Sequence, residues 1–199
     1  MGLDYQLIRG QTPLDDEEKE GLLISSITTR EELDEHEQQN IQEAIRWMLG
    51  RKFKREDILT EKFIKKLHQK MYGDVWKWAG AFRKTNKNLG VDRFQISMEL
   101  QKLLDDCKFW IENNTFPPDE IAVRFKHRIV FIHCFPNGNG RHSRMMADLI
   151  VEHIFGSEVF SWGTGGNLIM DGTARDNYIK AIKAADNNNI TPLLEFSRA

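Results

Sequence analysis

A Gly-Asn-Gly turn between two helical patterns constrains this chain more than any other feature. Gly138, Asn139 and Gly140 follow an apolar helical run, residues 121–135, and precede a second run, residues 145–154. Glycines adopt backbone angles that other residues avoid, so successive N–H groups of such a turn can point at one anion. The unpaired N–H groups and the dipole of the second helix add to this site. The pattern predicts two helices joined by an anion-binding turn.

The charged side chains around the turn fit a phosphorylated ligand. Arg141 and Arg144 are three residues apart, so they share one helix face and can both reach a polyphosphate. His133 ends the first run, and an imidazole with an ordinary pKa of about 6.5 can accept a proton from a hydroxyl at neutral pH. A histidine or a glycine turn alone is typical of an ordinary helix end or loop. Their combination indicates chemistry on a phosphate.

Residues 133–144 resemble the Fic motif, His-x-Phe-x-(Asp/Glu)-Gly-Asn-Gly-Arg-x-x-Arg. Every specified position is matched except the acidic one, where this chain has Asn137. The resemblance implies an all-α, Fic-type helical fold with a small β-hairpin flap, and transfer of AMP from ATP to a Ser, Thr or Tyr hydroxyl of a protein target. The N-terminal third and the Pro136-Asn137 pair also resemble a bacterial Fic subgroup called mobile mystery protein B.

The resemblance implies a role for each matched residue. His133 would be the base, the turn would form the anion hole, and the two arginines would hold the distal phosphates. Asn137 would stand at the position that binds Mg²⁺ or Mn²⁺, where an amide oxygen brings only a dipole to a hard cation and should bind it more weakly than a carboxylate. The nucleotide-binding residues would be Gly138, Asn139, Gly140, Arg141, Arg144, Tyr178 and Asp186.

Tyr178 and Asp186 lie on a helix predicted to begin near Ala174. They resemble the Tyr-x7-Asn stretch that lies against adenosine in Fic proteins, with Asp in place of the usual Asn. Tyr178 could stack on adenine or pack in the core, and the sequence leaves both open.

A second stretch resembles the flap that lies over the target peptide in Fic proteins. Residues 79–85 read Ala-Gly-Ala-Phe-Arg-Lys-Thr and are followed by Gly90-Val91. Main-chain pairing at such a flap would hold an extended target beside His133. Whether Lys87 has a role there or faces solvent stays open. The predicted target-binding residues are Lys84, Thr85, Asn86, Lys87, Asn88 and Leu89.

A helix predicted to begin at Thr28 or Thr29 could inhibit the site, as an N-terminal helix does in many Fic proteins. The strict inhibitory motif, Ser/Thr-x-x-x-Glu-Gly/Asn, is absent, and Glu37 is the nearest candidate. We hypothesise that Glu37 pairs with Arg144. The alternative is a surface glutamate on a charged helix.

Composition limits the other function classes. The 199 residues are 40% hydrophobic and 29% charged, which predicts one globular fold. A net charge of -2 gives no electrostatic footprint for nucleic acid or an anionic membrane. Two scattered cysteines and no signal or membrane pattern predict a cytoplasmic protein. We expect residues 1–56 to be an N-terminal extension and residues 57–199 to be the Fic domain.

The sequence therefore predicts an autoinhibited, ATP-dependent protein adenylyltransferase. Self-modification and a homo-oligomer are compatible with it. One alternative is a Doc-like phosphotransferase, although Doc-like loops carry Ala and Lys where this chain has Gly138 and Gly140. The other is a catalytically weak or idle binding module, such as one half of a toxin–antitoxin pair. The glycines of residues 163–166 are predicted to form an ordinary loop, because they lack the phosphate-loop ending.

Overall fold

The computed structural model describes residues 13–163 and 172–199. The first residues of the predicted extension, 1–12, and most of the predicted glycine loop, 164–166, lie outside the described residues. A short 3-10 turn (Arg93–Gln95) precedes α5, and a π-helical turn (Ile150–Ile154) continues α7. The helices are α1 (Asp16–Lys19), α2 (Arg30–Met48), α3 (Arg55–Ile58), α4 (Glu61–Tyr72), α5 (Ile96–Glu112), α6 (Pro118–Ile132), α7 (Asn139–Leu149), α8 (Thr173–Asp186) and α9 (Thr191–Arg198).

Helix α6 is the centre of the fold, packed between α5 and α7. Its apolar residues recur at helical spacing and are buried at Ile121, Phe125, Ile129 and Ile132. Pro118 occupies its first turn, where a missing N–H costs nothing. Because α6 is held on several sides, the residue that follows its last turn is fixed in place.

Helix α2 packs along α4 and therefore reaches the same end of the molecule. Thr29 caps it, accepting from the Glu32 N–H while the Glu32 side chain accepts from the Thr29 N–H, a reciprocal arrangement that satisfies two terminal donors. This confirms the predicted start of the helix. None of the described helices combines the length and apolarity needed to cross a bilayer.

The all-α fold is confirmed, but the predicted β-hairpin is wrong. Residues 81–92 form bends and turns, and within the described part of the chain strand pairing is limited to an isolated bridge between Leu22 and Trp76. The physical reason is Arg83, whose buried guanidinium donates to the carbonyl oxygens of Thr85 and Val91. A side chain thus takes carbonyl groups that a hairpin would pair across its strands.

Candidate active site

The Gly-Asn-Gly turn is the beginning of α7. Gly138 is its N-cap with φ +77°, and a Cβ there would come 2.5 Å from the Tyr72 ring, so no larger residue fits. The Asn139 amide closes the loop, accepting from Phe135 N at 2.9 Å and donating to Phe135 O at 2.8 Å. The first N–H groups of α7 have no carbonyl partner within the helix. The turn thus has the geometry of an anion site, and its binding of an anion stays a prediction.

His68 supports this loop from α4, and sequence reasoning missed it. Its Nε2 donates to Asn137 O at 3.0 Å, and its Nδ1 accepts from Gly80 N at 3.0 Å. Its ring stacks on Phe135 with centroids 3.7 Å apart. Burial lowers the His68 pKa well below its ordinary value, which keeps the ring neutral and able to make both bonds.

His133 is the C-cap of α6, in the left-handed region at φ +57°. Its side chain is buried, and Nδ1 lies 3.2 Å from Val130 O. This contact assigns the proton to Nδ1, so Nε2 carries the lone pair. Burial lowers the His133 pKa to about 4, against a raising effect of the Val130 bond. The imidazole is thus neutral at pH 7, as a general base must be.

Arg83 holds the predicted flap segment against His133. Its Nε donates to His133 O at 2.6 Å and its Nη1 to Thr85 O at 2.8 Å. Arg83 N also donates to Cys134 O at 3.0 Å, and a Cβ on Gly90 would come 2.6 Å from His133 Cβ. Burial lowers the Arg83 pKa. Sequence reasoning placed this arginine in the flap pattern but gave it no role.

The predicted flap residues divide between an inner and an outer set. Thr85 and Lys87 bind α1: Thr85 Oγ1 donates to Asp15 Oδ2 at 2.9 Å, and Lys87 is paired with Glu18. The Lys87 side chain is 5% exposed, so it does not face solvent. The outer set is exposed to solvent and consists of Lys84, Asn86, Asn88 and Leu89.

Glu37 reaches the site, but its partner differs from the prediction. Its Oε2 lies 2.6 Å from Arg141 Nη2, and its Oε1 accepts from Trp76 Nε1 at 2.7 Å. The predicted pairing with Arg144 is wrong. Arg144 lies three residues further along α7, where its guanidinium faces the Tyr178 ring at 5.5 Å. Glu37 is 4% exposed, so it is not a surface glutamate.

The opposite end of the site carries Tyr178 and Asp186. The Tyr178 ring also has the buried Lys126 Nζ 4.5 Å from its centre and packs on Phe196. Burial raises the Tyr178 pKa. The positive charges of Lys126 and Arg144 lower it by more than burial raises it, so the pKa lies below its ordinary value. Tyr178 thus both lines the site and packs against its neighbours.

His127 is a second missed residue. Its Nε2 lies 2.8 Å from Asp186 Oδ1. Nothing local to residue 127 in the sequence points to a partner on α8. His142 is buried under the loop, and its Nε2 donates to Ile64 O at 3.1 Å.

One cleft of about 550 Å³ joins these groups. It has the size of a small-molecule site and contains the base, the turn, the arginines and the Tyr178 end together. Its lining comprises Arg30, Leu89, Gly90, His127, Val130, Phe131, His133, Asn137, Gly138, Asn139, Gly140, Arg141, Arg144, Arg175, Tyr178, Ile179, Ile182, Lys183 and Asp186.

Asn137 offers a metal only a neutral ligand. Its Oδ1 accepts from Gly138 N at 2.6 Å, and an amide oxygen carries no net charge. Among the described residues, no three His, Cys, Asp or Glu side chains come together as a metal-binding group. The donor set fits a divalent cation held mostly by nucleotide phosphates and water, with a single protein oxygen.

The chain is similar to known proteins in both sequence and fold. Residues 58–151 match the model of the Fic/DOC family. The chain is 23% identical over 169 residues to the protein adenylyltransferase Fic of Aedes aegypti, a match that covers 82% of this chain and 32% of that protein.

Two solved structures share the fold. Fic-1 of C. elegans (aa134–508, E274G) superposes with a TM-score of 0.68 at 20% identity, over 90% of this chain and 51% of that chain. An N-terminal Fic domain from Bartonella quintana, solved with bound ADP, gives 0.66 at 18% identity, over 87% of this chain and 86% of that one. The chain thus spans well under two thirds of the curated relative it matches.

Proposed function

Because residues 58–151 match the model of the Fic/DOC family, we propose that this chain is a protein adenylyltransferase that transfers AMP from ATP to a Ser, Thr or Tyr hydroxyl. The observation that carries the proposal is the neutral His133 imidazole in one cleft with the anion-binding turn and two arginines. A base, an oxyanion site and phosphate clamps are the parts that nucleotidyl transfer needs.

Each part has a step in the proposed reaction. The target hydroxyl loses its proton to His133 Nε2 as its oxygen bonds to the α-phosphorus of ATP. The bond from that phosphorus to the bridging oxygen breaks, and pyrophosphate leaves with the electron pair. The N–H groups at the start of α7 and the two arginines stabilise the charge on the leaving phosphates. Arg83 supports His133 through its carbonyl, so it acts as a positioning residue.

A divalent cation would join the nucleotide at Asn137. Mg²⁺ or Mn²⁺ would supply positive charge to the phosphates there, as it does in other phosphoryl transfers. The protein contributes one amide oxygen that already accepts from Gly138 N. We therefore propose a weakly held metal that arrives with ATP.

Glu37 supports the proposal that the enzyme is autoinhibited. Its carboxylate neutralises Arg141, which would otherwise be available to a phosphate, and Trp76 holds it from behind. We propose that residues 1–56 are an N-terminal extension that carries the inhibitory Glu37 and that residues 57–199 are a Fic domain. The mobile mystery protein B subgroup, a cytoplasmic location, self-modification and a homo-oligomer stay predictions.

The test is the intact mass of purified protein after incubation with ATP and Mg²⁺ or Mn²⁺. We expect the natural chain to gain little and Glu37→Gly to gain one AMP per modified hydroxyl, with the gain abolished in Glu37→Gly/His133→Ala. Glu35→Gly is the matched control, because Glu35 is an exposed residue of the same helix and pays the same helix cost.

The other outcomes identify the alternatives. A gain of one phosphate would support a Doc-like phosphotransferase that binds the nucleotide in reverse. ATP binding without any mass gain in any variant would support an idle binding module. Asn137 is the observation that favours that second candidate, because it weakens the metal site.

A further inference from the structure

Arg30, the first residue of α2, lines the same cleft as the catalytic loop. Its side chain is 18% exposed, and its Nη2 lies 2.8 Å from Asp34 Oδ1. Neither the phosphate-binding motif nor the search for an inhibitory glutamate draws attention to this residue, because it lies more than a hundred positions before the loop.

Three charged residues of α2 share the face that meets the site. Arg30, Asp34 and Glu37 follow at intervals of four and three residues, which places them on one side of a helix. Glu37 is paired with Arg141, and the negative charge of Asp34 also acts on the Arg141 guanidinium. The first turns of α2 therefore lie beside the arginine end of the cleft.

The cleft is lined by Tyr178 and Asp186 from α8 and by Arg141 from the first turn of α7. Arg141 also meets α2, through Glu37. A nucleotide with its base beside α8 and its phosphates beside Arg141 would direct its outermost phosphate towards α2, whose first residue is Arg30.

We propose that Arg30 is a specificity-determining residue that binds the terminal phosphate of a nucleoside triphosphate. In the absence of nucleotide, Asp34 holds the guanidinium beside the site, and the phosphate replaces Asp34 as its partner. An arginine can exchange one anionic partner for another with little rearrangement of its planar fork. The proposal rests on the proposed function only in taking a nucleotide as the ligand.

This exchange of Asp34 for a phosphate explains how α2 can carry both an inhibitory glutamate and a nucleotide contact. Glu37 competes with the phosphates for Arg141, whereas Arg30 attracts them. A triphosphate reaches Arg30, but a monophosphate does not extend that far. Arg30 thus distinguishes ATP from its shorter products.

The test is titration calorimetry of the full chain with a non-hydrolysable ATP analogue, with ADP and with AMP, all in a Glu37→Gly background that frees Arg141. We expect Arg30→Ala to weaken the ATP analogue about tenfold, which is the effect of losing one charge-assisted hydrogen bond. AMP affinity should stay unchanged. Arg46→Ala, an exposed arginine of the same helix, is the matched control and should change neither.

Asp34→Asn separates a phosphate contact from a structural one. It breaks the same ion pair but keeps the Arg30 side chain and removes a negative charge beside the cleft, so we expect tighter binding of the ATP analogue. Equal losses of affinity in Arg30→Ala and Asp34→Asn would overturn the proposal, because they would mean that the ion pair stabilises α2 and that Arg30 does not bind phosphate. Equal losses for all three nucleotides, or no loss, would also overturn it.

The experiment reads binding and not transfer, so its outcome is separate from that of the proposed function. A chain that binds ATP through Arg30 yet modifies no hydroxyl would retain this inference and lose the adenylyltransferase. Failure of every variant to bind any of the three nucleotides would overturn both.

Discussion

At the scale of single residues, the place where α6 ends decides what His133 can do. The left-handed backbone at φ +57° turns the side chain out of the helix and into the cleft. Such a conformation is costly for a residue with a Cβ, and the Arg83 bond to the His133 carbonyl holds it. The base is therefore fixed by contacts with residues fifty positions away along the chain.

The metal affinity of the site should respond to a change of one atom in the Asn137 side chain. Asn137→Asp replaces the amide by a carboxylate of the same size, which adds a full negative charge towards the cation. We expect tighter Mn²⁺ binding in the presence of ATP, by about tenfold, since one charged ligand is added. Electron paramagnetic resonance of free Mn²⁺ measures this directly. Asn88→Asp, an exposed asparagine of the flap, is the control.

Arg83 gives a second prediction. Arg83→Met keeps the apolar stem but leaves the carbonyl groups of Thr85, Val91 and His133 without their donor. Because unsatisfied buried acceptors are costly, we expect a loss of about 2–4 kcal/mol in the free energy of unfolding, measured by urea denaturation.

The flap should also become more exposed in Arg83→Met, which amide hydrogen exchange of residues 83–91 would detect. Arg46→Met, on the exposed side of α2, should change neither measurement. Unchanged exchange in the Arg83 variant would contradict its assigned role.

The sequence predicted the residues that a local motif encodes and missed those that act across the fold. His133, the turn and the two arginines lie within one short stretch, so spacing alone indicates their chemistry. His68, on α4, bonds to Asn137, and His127, on α6, pairs with Asp186 of α8, and no local pattern shows such contacts. For the same reason the sequence identified Glu37 but not its partner.

At the scale of elements, the α1 segment is bound to the flap through charge. Lys87 pairs with Glu18 and lies 3.5 Å from Asp15 Oδ2, and Thr85 also donates to Asp15. Trp78 Nε1 donates to Glu18 O at 3.0 Å. A helix of four residues has little stability of its own, so these contacts must hold it.

Glu18→Gln should therefore release α1 without unfolding the rest. We expect the protection of the Lys19 and Glu20 amides against hydrogen exchange to fall by about tenfold, because a buried pair has lost one charge. Glu17→Gln, in the same helix but exposed, should leave protection as it is. A fall of the same size in both variants would mean that general charge, and not the Lys87 pair, holds α1.

The helices were more predictable than their pairing. Caps and apolar periodicity gave the start of α2 and the start of α8, predicted near Ala174 and observed at Thr173, because these signals are local. The prediction of a hairpin was wrong because Arg83 donates to the Thr85 and Val91 carbonyl groups. Arg83 also donates to the His133 carbonyl, so its role depends on where the helix before His133 ends.

At the scale of the whole molecule, buried histidines set the response to acid. Burial lowers the pKa of His133 and of His142 to about 4, and that of His68 well below its ordinary value. In the unfolded chain each titrates near 6.5. The unfolded state thus binds more protons between these values, so stability is complete above about pH 6.5 and falls as the pH drops towards 4. Asp148 acts in the opposite sense, because burial raises its pKa to about 6.

Burial lowers the pKa of a fourth histidine, His127, as well, so four histidines against one aspartate leave a net loss of stability on acidification. His133 and His142 each cost about 3 kcal/mol by pH 4, and His68 adds to the loss. We therefore expect the free energy of unfolding, measured in urea at pH 7.5, 6.0 and 5.0, to fall progressively. His142→Gln keeps an N–H that can reach Ile64 O but cannot titrate, so its curve should be flatter than that of the natural chain. A flat curve in the natural chain would mean that the buried histidines become protonated without unfolding, in conflict with the bonds that His68 and His142 make as neutral rings.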